Sequence, residues 1–194
     1  MASPVQLIVG LGNPGPDYHR SRHNAGADLL EQLATQHQQA FSNTPKFFGL
    51  TGRIFSGSSE IRLLIPTTYM NRSGQAVAAM ANFYKIPAEA MLVVHDELDL
   101  APGIARLKQG GGHGGHNGLR DIIASLGNNN NFARLRLGIG HPGDAKRVAD
   151  YVLKRPPVAE AQLIDDAIAA SLNVIDDLCQ AQWDRAARNL HTAA

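Results

Sequence analysis

Cysteine and long apolar runs are scarce in this sequence. Its 194 residues include one cysteine, which excludes an internal disulfide and suits a reducing compartment. Cys179 lies on an apolar stripe, spaced by three and four residues, that runs on to Leu190, so we predict a buried thiol and not a nucleophile. No run of about 18 apolar residues and no signal-peptide pattern is present, which predicts a cytoplasmic protein without a membrane segment.

The net charge is also low, at +1, but it is unevenly distributed. Residues 101–155 carry nine Lys/Arg against three Asp/Glu, a net charge of +6, whereas residues 1–100 have a net charge of −1 and residues 156–194 of −4. This excess indicates a polyanion partner, and a solvated surface without a partner explains it equally well. The length fits one domain over residues 1–194.

Strand-like and helix-like patterns alternate along the chain. Apolar or alternating runs predict strands over residues 5–11, 50–55, 61–65, 91–95, 104–108 and 132–139. Helical spacing predicts helices over 24–38, over 119–126, from a Ser73 cap through Tyr84, and in two closing helices of which the last is long. This alternation predicts an α/β fold, a single domain whose central, mixed and mostly parallel sheet is flanked by helices.

The first glycines have the spacing of a dinucleotide-binding turn. In "GLGNPGPDYHRSRHNAG", residues 10–26, the pattern GxGxxG is present. However, Pro14 and Pro16 prevent a helix from starting there, and Glu31, the nearest acidic residue for a ribose, lies inside the next predicted helix. We therefore predict a rigid, non-helical loop that presents Asn13 after a buried strand.

Polar residues follow several of the predicted strands. Ligands of such folds bind at the carboxyl edge of the sheet, so the pattern places these residues together: Asn13, His23, Asn71, Asp96 and Asn117. Turn-forming asparagines and a structural histidine are the alternative interpretation of this pattern.

His23 is the natural proton acceptor of this set, because imidazole titrates near neutral pH. Asp96 would hold its tautomer. No GxSxG turn supplies a serine nucleophile, so we predict that water attacks. The histidines at 113 and 116, with His95 and Asp99, match no metal-ligand spacing. The glycines at 110–112, 114, 115 and 118 indicate either close approach to a ligand or a mobile gate.

Four motifs together resemble the bacterial peptidyl-tRNA hydrolase family over nearly the whole chain: the loop quoted above, "PTTYMNRSG", "VVHDELDLAPG" and "GGGHGGHNGLRDI". The resemblance implies an esterase that frees tRNA from a stray peptide, with His23 as general base and Asp96 orienting it. It also implies a monomer with no metal or cofactor. Ser21 stands where the family commonly has threonine, and Glu97 where it often has a second aspartate.

The resemblance assigns the remaining site residues as well. Asn13 and Asn71 would hold the peptide and the attacked ester, and Tyr18 and Met70 would line the cleft. Asn117, with His116 beside it, would bind the peptide and help to place the water. Lys108 and Arg136, both in the +6 segment, would bind the 5′-phosphate of the tRNA. Three alternative functions remain. The first is a ribonuclease that uses His23, His116 and Lys108, the second is a non-catalytic tRNA-binding protein, and the third is a dinucleotide oxidoreductase.

Overall fold

The computed structural model describes residues 2–193. The strands are β1 (Leu7–Gly10), β2 (Ser42–Thr44), β3 (Gly49–Ser56), β4 (Ser59–Pro66), β5 (Met91–Glu97), β6 (Ala105–Gln109) and β7 (Ala133–Gly138). The helices are α1 (Ala25–Gln36), α2 (Ser73–Tyr84), α3 (Asn117–Ser125), α4 (Val148–Leu153), α5 (Val158–Leu172), α6 (Ile175–Cys179) and α7 (Trp183–His191). Among these residues, no helix has the length and apolar character needed to cross a bilayer.

The strands form one mixed sheet in the order β2-β3-β4-β1-β5-β7-β6. The central strands β4, β1, β5 and β7 run parallel, β3 and β2 follow as an antiparallel meander on one side, and β6 pairs antiparallel with β7 on the other. The predicted α/β class and mixed sheet are thus confirmed. Because β1 and β5 are parallel neighbours, their carboxyl ends open onto the same edge.

Helices cover both faces of the sheet. Ile8 of β1 belongs to one apolar core with residues of α1, α5, α6 and α7, while Leu7 and Val9 belong to the other core with residues of α2 and α3. All three side chains are fully buried, which explains why β1 is a continuous apolar run and does not alternate. The edge at the end of β1 therefore lies between two packed layers.

The end of the chain differs from the prediction of two closing helices, since four helices, α4 to α7, occupy it. Pro156 and Pro157 separate α4 from α5 because a proline disfavours a helix before it. Ala181 separates α6 from α7 by adopting a left-handed conformation. The apolar spacing continues across the breaks because α5, α6 and α7 pack on the same core. Cys179 is buried there, as predicted, and burial raises the pKa of its thiol to about 12.

Ser73 does not cap α2 in the predicted way. It is the first residue of the helix, and its hydroxyl donates to the carbonyl oxygen of Met70 at 2.7 Å instead of accepting from a helix amide. The serine thus closes the short 3₁₀ turn over Met70–Arg72 that precedes α2.

The outer strand β6 is closed off by the last helix. The ring Nε2 of His191 in α7 accepts a hydrogen bond from the backbone amide of Leu107 at 3.0 Å. This bond satisfies an amide that faces away from β7, and α7 therefore runs beside the exposed edge of the sheet.

Candidate active site

Asn13 is held by its neighbour in space, Asn24. The backbone amide of Asn13 donates to Oδ1 of Asn24 at 2.8 Å, and Nδ2 of Asn24 donates to the carbonyl of Asn13 at 3.0 Å. Oδ1 of Asn13 then accepts from the amide of Met70 at 2.7 Å, which leaves its Nδ2 as a donor for a ligand. The sequence argument missed Asn24, although a polar residue directly after the predicted base was a usable signal.

His23 reaches the same edge on a 3₁₀ turn, Arg22–Asn24, that leads into α1. The helix starts close to β5 because Gly26 lacks a side chain, and a Cβ at this position would overlap the carbonyl of Val94. Arg22 anchors the turn by donating to the carbonyl of Tyr151 at 2.9 Å, with its guanidinium 3.8 Å from the centre of that ring. The position of the imidazole is therefore set by packing on two sides.

The carboxylate of Asp96 accepts hydrogen bonds from two histidines. Nδ1 of His23 lies 2.9 Å from both of its oxygens, and Nε2 of His116 lies 2.8 Å from Oδ1. Because a carboxylate only accepts, His23 carries its proton on Nδ1 and keeps the lone pair on Nε2. This is the tautomer that a general base requires.

His116 has a second contact that determines its own protonation. Its Nδ1 accepts from the amides of Gly118 and Leu119 at 3.1 and 3.3 Å, which makes it the N-cap of α3. Nε2 therefore carries the proton that binds Asp96. The family resemblance implies a substrate contact for His116, and the structure adds a bond to the carboxylate and a helix cap.

Burial and charge set the electrostatics of the pair. Burial opposes ionisation of Asp96, but the two histidines outweigh it and hold the pKa of the carboxyl well below its usual range. For His23, burial acts to lower the pKa of the imidazole, and the Asp96 charge with its hydrogen bond outweighs this effect and raises it. The histidine is thus a stronger base than a free imidazole.

His95 lies directly behind this pair. Its Nδ1 donates to the backbone carbonyl of Asp96 at 2.8 Å, and its ring packs edge-on against His116 with 5.1 Å between centres. Burial, together with the nearby His116, lowers the pKa of His95 to about 3. His95 is therefore a neutral packing group and not a second base.

Arg134 supports the glycine-rich segment from inside the protein. It is buried, and its guanidinium donates to the carbonyls of Gly111 and Gly112 at 2.6 and 2.5 Å and to that of Asn130 at 3.2 Å. In β7 the side chain of Arg134 lies on the face opposite that of Leu135. An arginine in an alternating strand is typical of an exposed face, so the sequence offered no signal for its burial.

The other predicted substrate residues lie on the loop after β1 and on the turns at the starts of α2 and α3. Met70 is buried, and a Cβ on Gly118 would lie 2.6 Å from its sulfur, so the turn before α2 and the start of α3 touch. Tyr18 packs edge-on against Tyr69 at 6.5 Å between ring centres. Asn71 and Asn117 expose their side chains on this turn and on the first residue of α3, and neither side chain is hydrogen-bonded within the part of the chain that is described.

Lys108 and Arg136 lie on one face of the sheet, on β6 and β7. Lys108 pairs in register with Arg134, and Arg136 with Arg106. Lys108 is exposed beside Gly111, where an added Cβ would be 2.8 Å from its Nζ. Arg136 approaches Glu97, next to Asp96, at 3.9 Å. Lys108 therefore lies next to the glycine-rich segment, and Arg136 lies on β7, the neighbour of the strand β5 that carries Asp96, while Lys108 is one strand further out on β6.

Three of these groups are close enough to bind a metal. The ligand atoms of His23, Asp96 and His116 lie within 4.8 Å of one another, and this group was not among the metal candidates in the sequence. Hydrogen bonds account for each contact, since both imidazole protons point to the carboxylate and Nδ1 of His116 is used by α3.

The chain is similar to proteins of one family. A family model described as peptidyl-tRNA hydrolase matches residues 7–194. The peptidyl-tRNA hydrolase of Teredinibacter turnerae is 61% identical over 193 residues, 100% of both chains. That of Saccharophagus degradans is 63% identical over 188 residues, 97% of this chain and 95% of its own. A crystal structure of the Acinetobacter baumannii peptidyl-tRNA hydrolase has a TM-score of 0.95 at 49% identity and covers 100% of this chain and 99% of that one.

Proposed function

The chain belongs to the peptidyl-tRNA hydrolase family, and we propose that it hydrolyses the ester between a peptide and the 3′ ribose of tRNA with a water activated by His23. The observation that carries the mechanism is the pair of 2.9 Å contacts between His23 Nδ1 and the Asp96 carboxylate. They leave Nε2 free to take a proton.

The reaction needs one water and one base. His23 Nε2 removes a proton from water as the oxygen attacks the ester carbonyl, and the negative charge develops on the carbonyl oxygen. Asp96 stabilises the imidazolium that forms. When the intermediate collapses, the bond to the ribose oxygen breaks and the imidazolium returns its proton to that oxygen. Peptide acid and free tRNA leave, and the enzyme is restored.

Neutral donors and apolar surface would hold the substrate. Nδ2 of Asn13 and the exposed amides of Asn71 and Asn117 are suited to peptide carbonyls and to the attacked ester. Tyr18 and Met70 would line the cleft for the peptide. His116 would contact the substrate while its Nε2 stays hydrogen-bonded to Asp96.

The geometry disfavours a ribonuclease with two histidines. Such an enzyme needs one imidazole as base and another as acid, but both nitrogens of His116 are occupied, by Asp96 and by the amides of α3. The free Nε2 of His23 fits ester hydrolysis by water. The contact between His23 and Asp96 would have no use in a protein that binds tRNA without catalysis.

Lys108→Ala and Arg136→Ala should each weaken tRNA binding and reduce its salt dependence. Each lysine or arginine that contacts a phosphate releases about one counterion on binding, so the slope of log affinity against log salt should fall by about one for each residue removed. Titrations at several salt concentrations measure this slope, with Lys85→Ala, at the end of α2, as the control. A wild-type slope in both variants would refute the phosphate assignment.

One assay tests the proposed activity against its rivals. The chain is incubated with N-acetylaminoacyl-tRNA, with and without EDTA, and both products are analysed. We expect released N-acetylamino acid and full-length tRNA. We propose a cytoplasmic monomer of one domain that needs no metal, and because no metal is needed, the rates in the two samples should be equal. Shortened RNA would indicate a nuclease, intact substrate would indicate a binding protein, and loss of activity in EDTA would indicate a metal enzyme.

A further inference from the structure

Tyr151 of α4 has no role in the mechanism above, yet it joins two parts of the chain that meet at the active site. Its phenol oxygen donates a hydrogen bond to the carbonyl of Ile139, the residue after β7, at 2.6 Å. Its ring lies 3.8 Å from the guanidinium of Arg22, and its backbone carbonyl accepts from Nη1 of Arg22 at 2.9 Å. Tyr151 thus contacts both the segment after β7 and the turn that carries His23.

Ile139 continues this connection to the strand that carries Asp96. The backbone amide of Ile139 donates to the carbonyl of Glu97 at 3.0 Å. Glu97 is the last residue of β5 and directly follows Asp96. Tyr151 is therefore separated from the residue next to the carboxylate by one side-chain hydrogen bond and one backbone hydrogen bond.

Arg22 makes the connection on the side of the base, because it directly precedes His23 in the same 3₁₀ turn. Its backbone amide donates to the carbonyl of Lys154, the residue after α4, at 3.0 Å, and its side chain reaches Glu160 of α5 at 3.4 Å. Arg22 is buried, and a buried donor that loses its partner has no water to replace it. The place of the turn therefore depends on its contacts with α4.

These contacts form a closed circuit around the catalytic pair. The members of the circuit connect the carboxylate to the base by a second route: Asp96, Glu97, Ile139, Tyr151, Arg22 and His23. The hydrogen bond between His23 and Asp96 closes the circuit. Among residues 2–193, Asp96 is the only hydrogen-bond partner of the His23 imidazole, so the distance between the two side chains depends on where the rest of the circuit holds their backbones.

We infer that Tyr151 is a positioning residue for the general base: it holds Arg22 against α4, connects α4 to the segment beside Asp96, and so keeps Nδ1 of His23 within hydrogen-bond distance of the carboxylate. The inference rests on the proposed function, since it concerns the base of that reaction. Tyr151 acts through Arg22 and takes no part in proton transfer. A displacement of about 1 Å at a catalytic group costs up to about 10²-fold in rate, so a residue outside the reacting groups can affect turnover.

Two substitutions at Tyr151 test this role by steps. Tyr151→Phe removes the bond to Ile139 and keeps the ring beside Arg22, whereas Tyr151→Leu removes both. We expect kcat for N-acetylaminoacyl-tRNA to fall about threefold in the first variant and about tenfold in the second, with KM nearly unchanged. Lesser losses in Tyr151→Phe are expected because the ring is the larger contact.

The matched control is Tyr84→Leu, which also removes a tyrosine ring next to an arginine. The guanidinium of Arg62 lies 3.4 Å from the centre of the Tyr84 ring. Arg62 pairs in register with Leu7, at the start of β1, so this contact lies away from the carboxyl edge. Tyr84→Leu should therefore keep the wild-type kcat, and a loss of kcat in this control equal to that in Tyr151→Leu would overturn the inference.

Nitrogen and proton NMR of the histidine rings gives a readout that does not depend on turnover. In the wild type the proton on Nδ1 of His23 is held by a buried carboxylate, so it should give a downfield signal that exchanges slowly and is absent from His23→Ala. Tyr151→Leu should broaden or remove this signal, and Tyr84→Leu should retain it. An unchanged signal in Tyr151→Leu would overturn the inference, whether or not kcat falls.

Thermal unfolding shows whether each variant is folded at the assay temperature. If Tyr151→Leu is not folded, Tyr151→Phe decides: wild-type kcat together with a wild-type His23 signal would overturn the inference. If the wild-type chain does not cleave N-acetylaminoacyl-tRNA, the proposed function fails, and the NMR signal alone still tests whether Tyr151 positions His23.

Discussion

His23→Ala should lower kcat by about 10²- to 10⁴-fold and leave the affinity for tRNA nearly unchanged. The size of the loss is that of a positioned general base. Affinity should survive because the phosphate contacts are proposed for Lys108 and Arg136, which lie on β6 and β7 and not on the turn that carries His23. Single-turnover hydrolysis of N-acetylaminoacyl-tRNA measures the first quantity, and filter binding of uncleaved substrate measures the second.

The control for His23→Ala is His19→Ala, which removes an exposed imidazole from the same loop. It should have wild-type kcat and affinity. Thermal unfolding of both variants is needed as well, because His23→Ala leaves the buried Asp96 with one histidine partner fewer. Equal losses of kcat and of tRNA affinity in His23→Ala would show that the histidine is structural and that another group activates water.

Asp96→Asn should lower kcat by a similar factor and also move its pH dependence. An amide in place of the carboxylate can direct its N–H₂ toward Nδ1 of His23, which shifts the imidazole proton to Nε2 and removes the lone pair that acts on water. The remaining activity comes from the minor tautomer. The loss should therefore be large although every heavy atom keeps its place.

The direction of the pH shift follows from the charges around His23. The imidazole is a base only when neutral, so kcat/KM rises with pH through its pKa. In the wild type, burial lowers this pKa and Asp96 outweighs burial, so the rising limb lies above the ordinary 6.5. In Asp96→Asn only burial remains, and the limb should move to lower pH. Asp99→Asn, an exposed neighbour, is the control, and an unmoved limb in Asp96→Asn would refute the pairing.

The sequence alone predicts the position of a residue where that position follows from a single rule about secondary structure. Asn13 follows β1 and Asp96 lies near the end of β5, and these strands are parallel neighbours, so the rule that ligands bind at the carboxyl edge placed both residues at one edge of the sheet. His23 could be added because the prolines before it exclude a helix and oblige the chain to loop back. The fold class followed from the alternation of strands and helices.

Other features depend on contacts that no local pattern encodes. Arg134 alternates like a surface residue, and its burial follows from the carbonyls of Gly111 and Gly112 that reach it from a distant loop. The breaks among α5, α6 and α7 are invisible to an apolar period, because all three helices pack on one core. Asn24 acquires its role only through its bonds with Asn13.

The two bonds of His116 affect how mutagenesis at this position is to be understood. One ring nitrogen serves the carboxylate and the other begins α3, so an alanine there removes a helix start together with a polar partner. A loss of turnover in His116→Ala would therefore have two causes, the missing partner of Asp96 and local unfolding at the start of α3. Asparagine is among the best residues at a helix start, and His116→Asn would separate the two contributions. At this position, the substitution chosen decides which property of the protein is being measured.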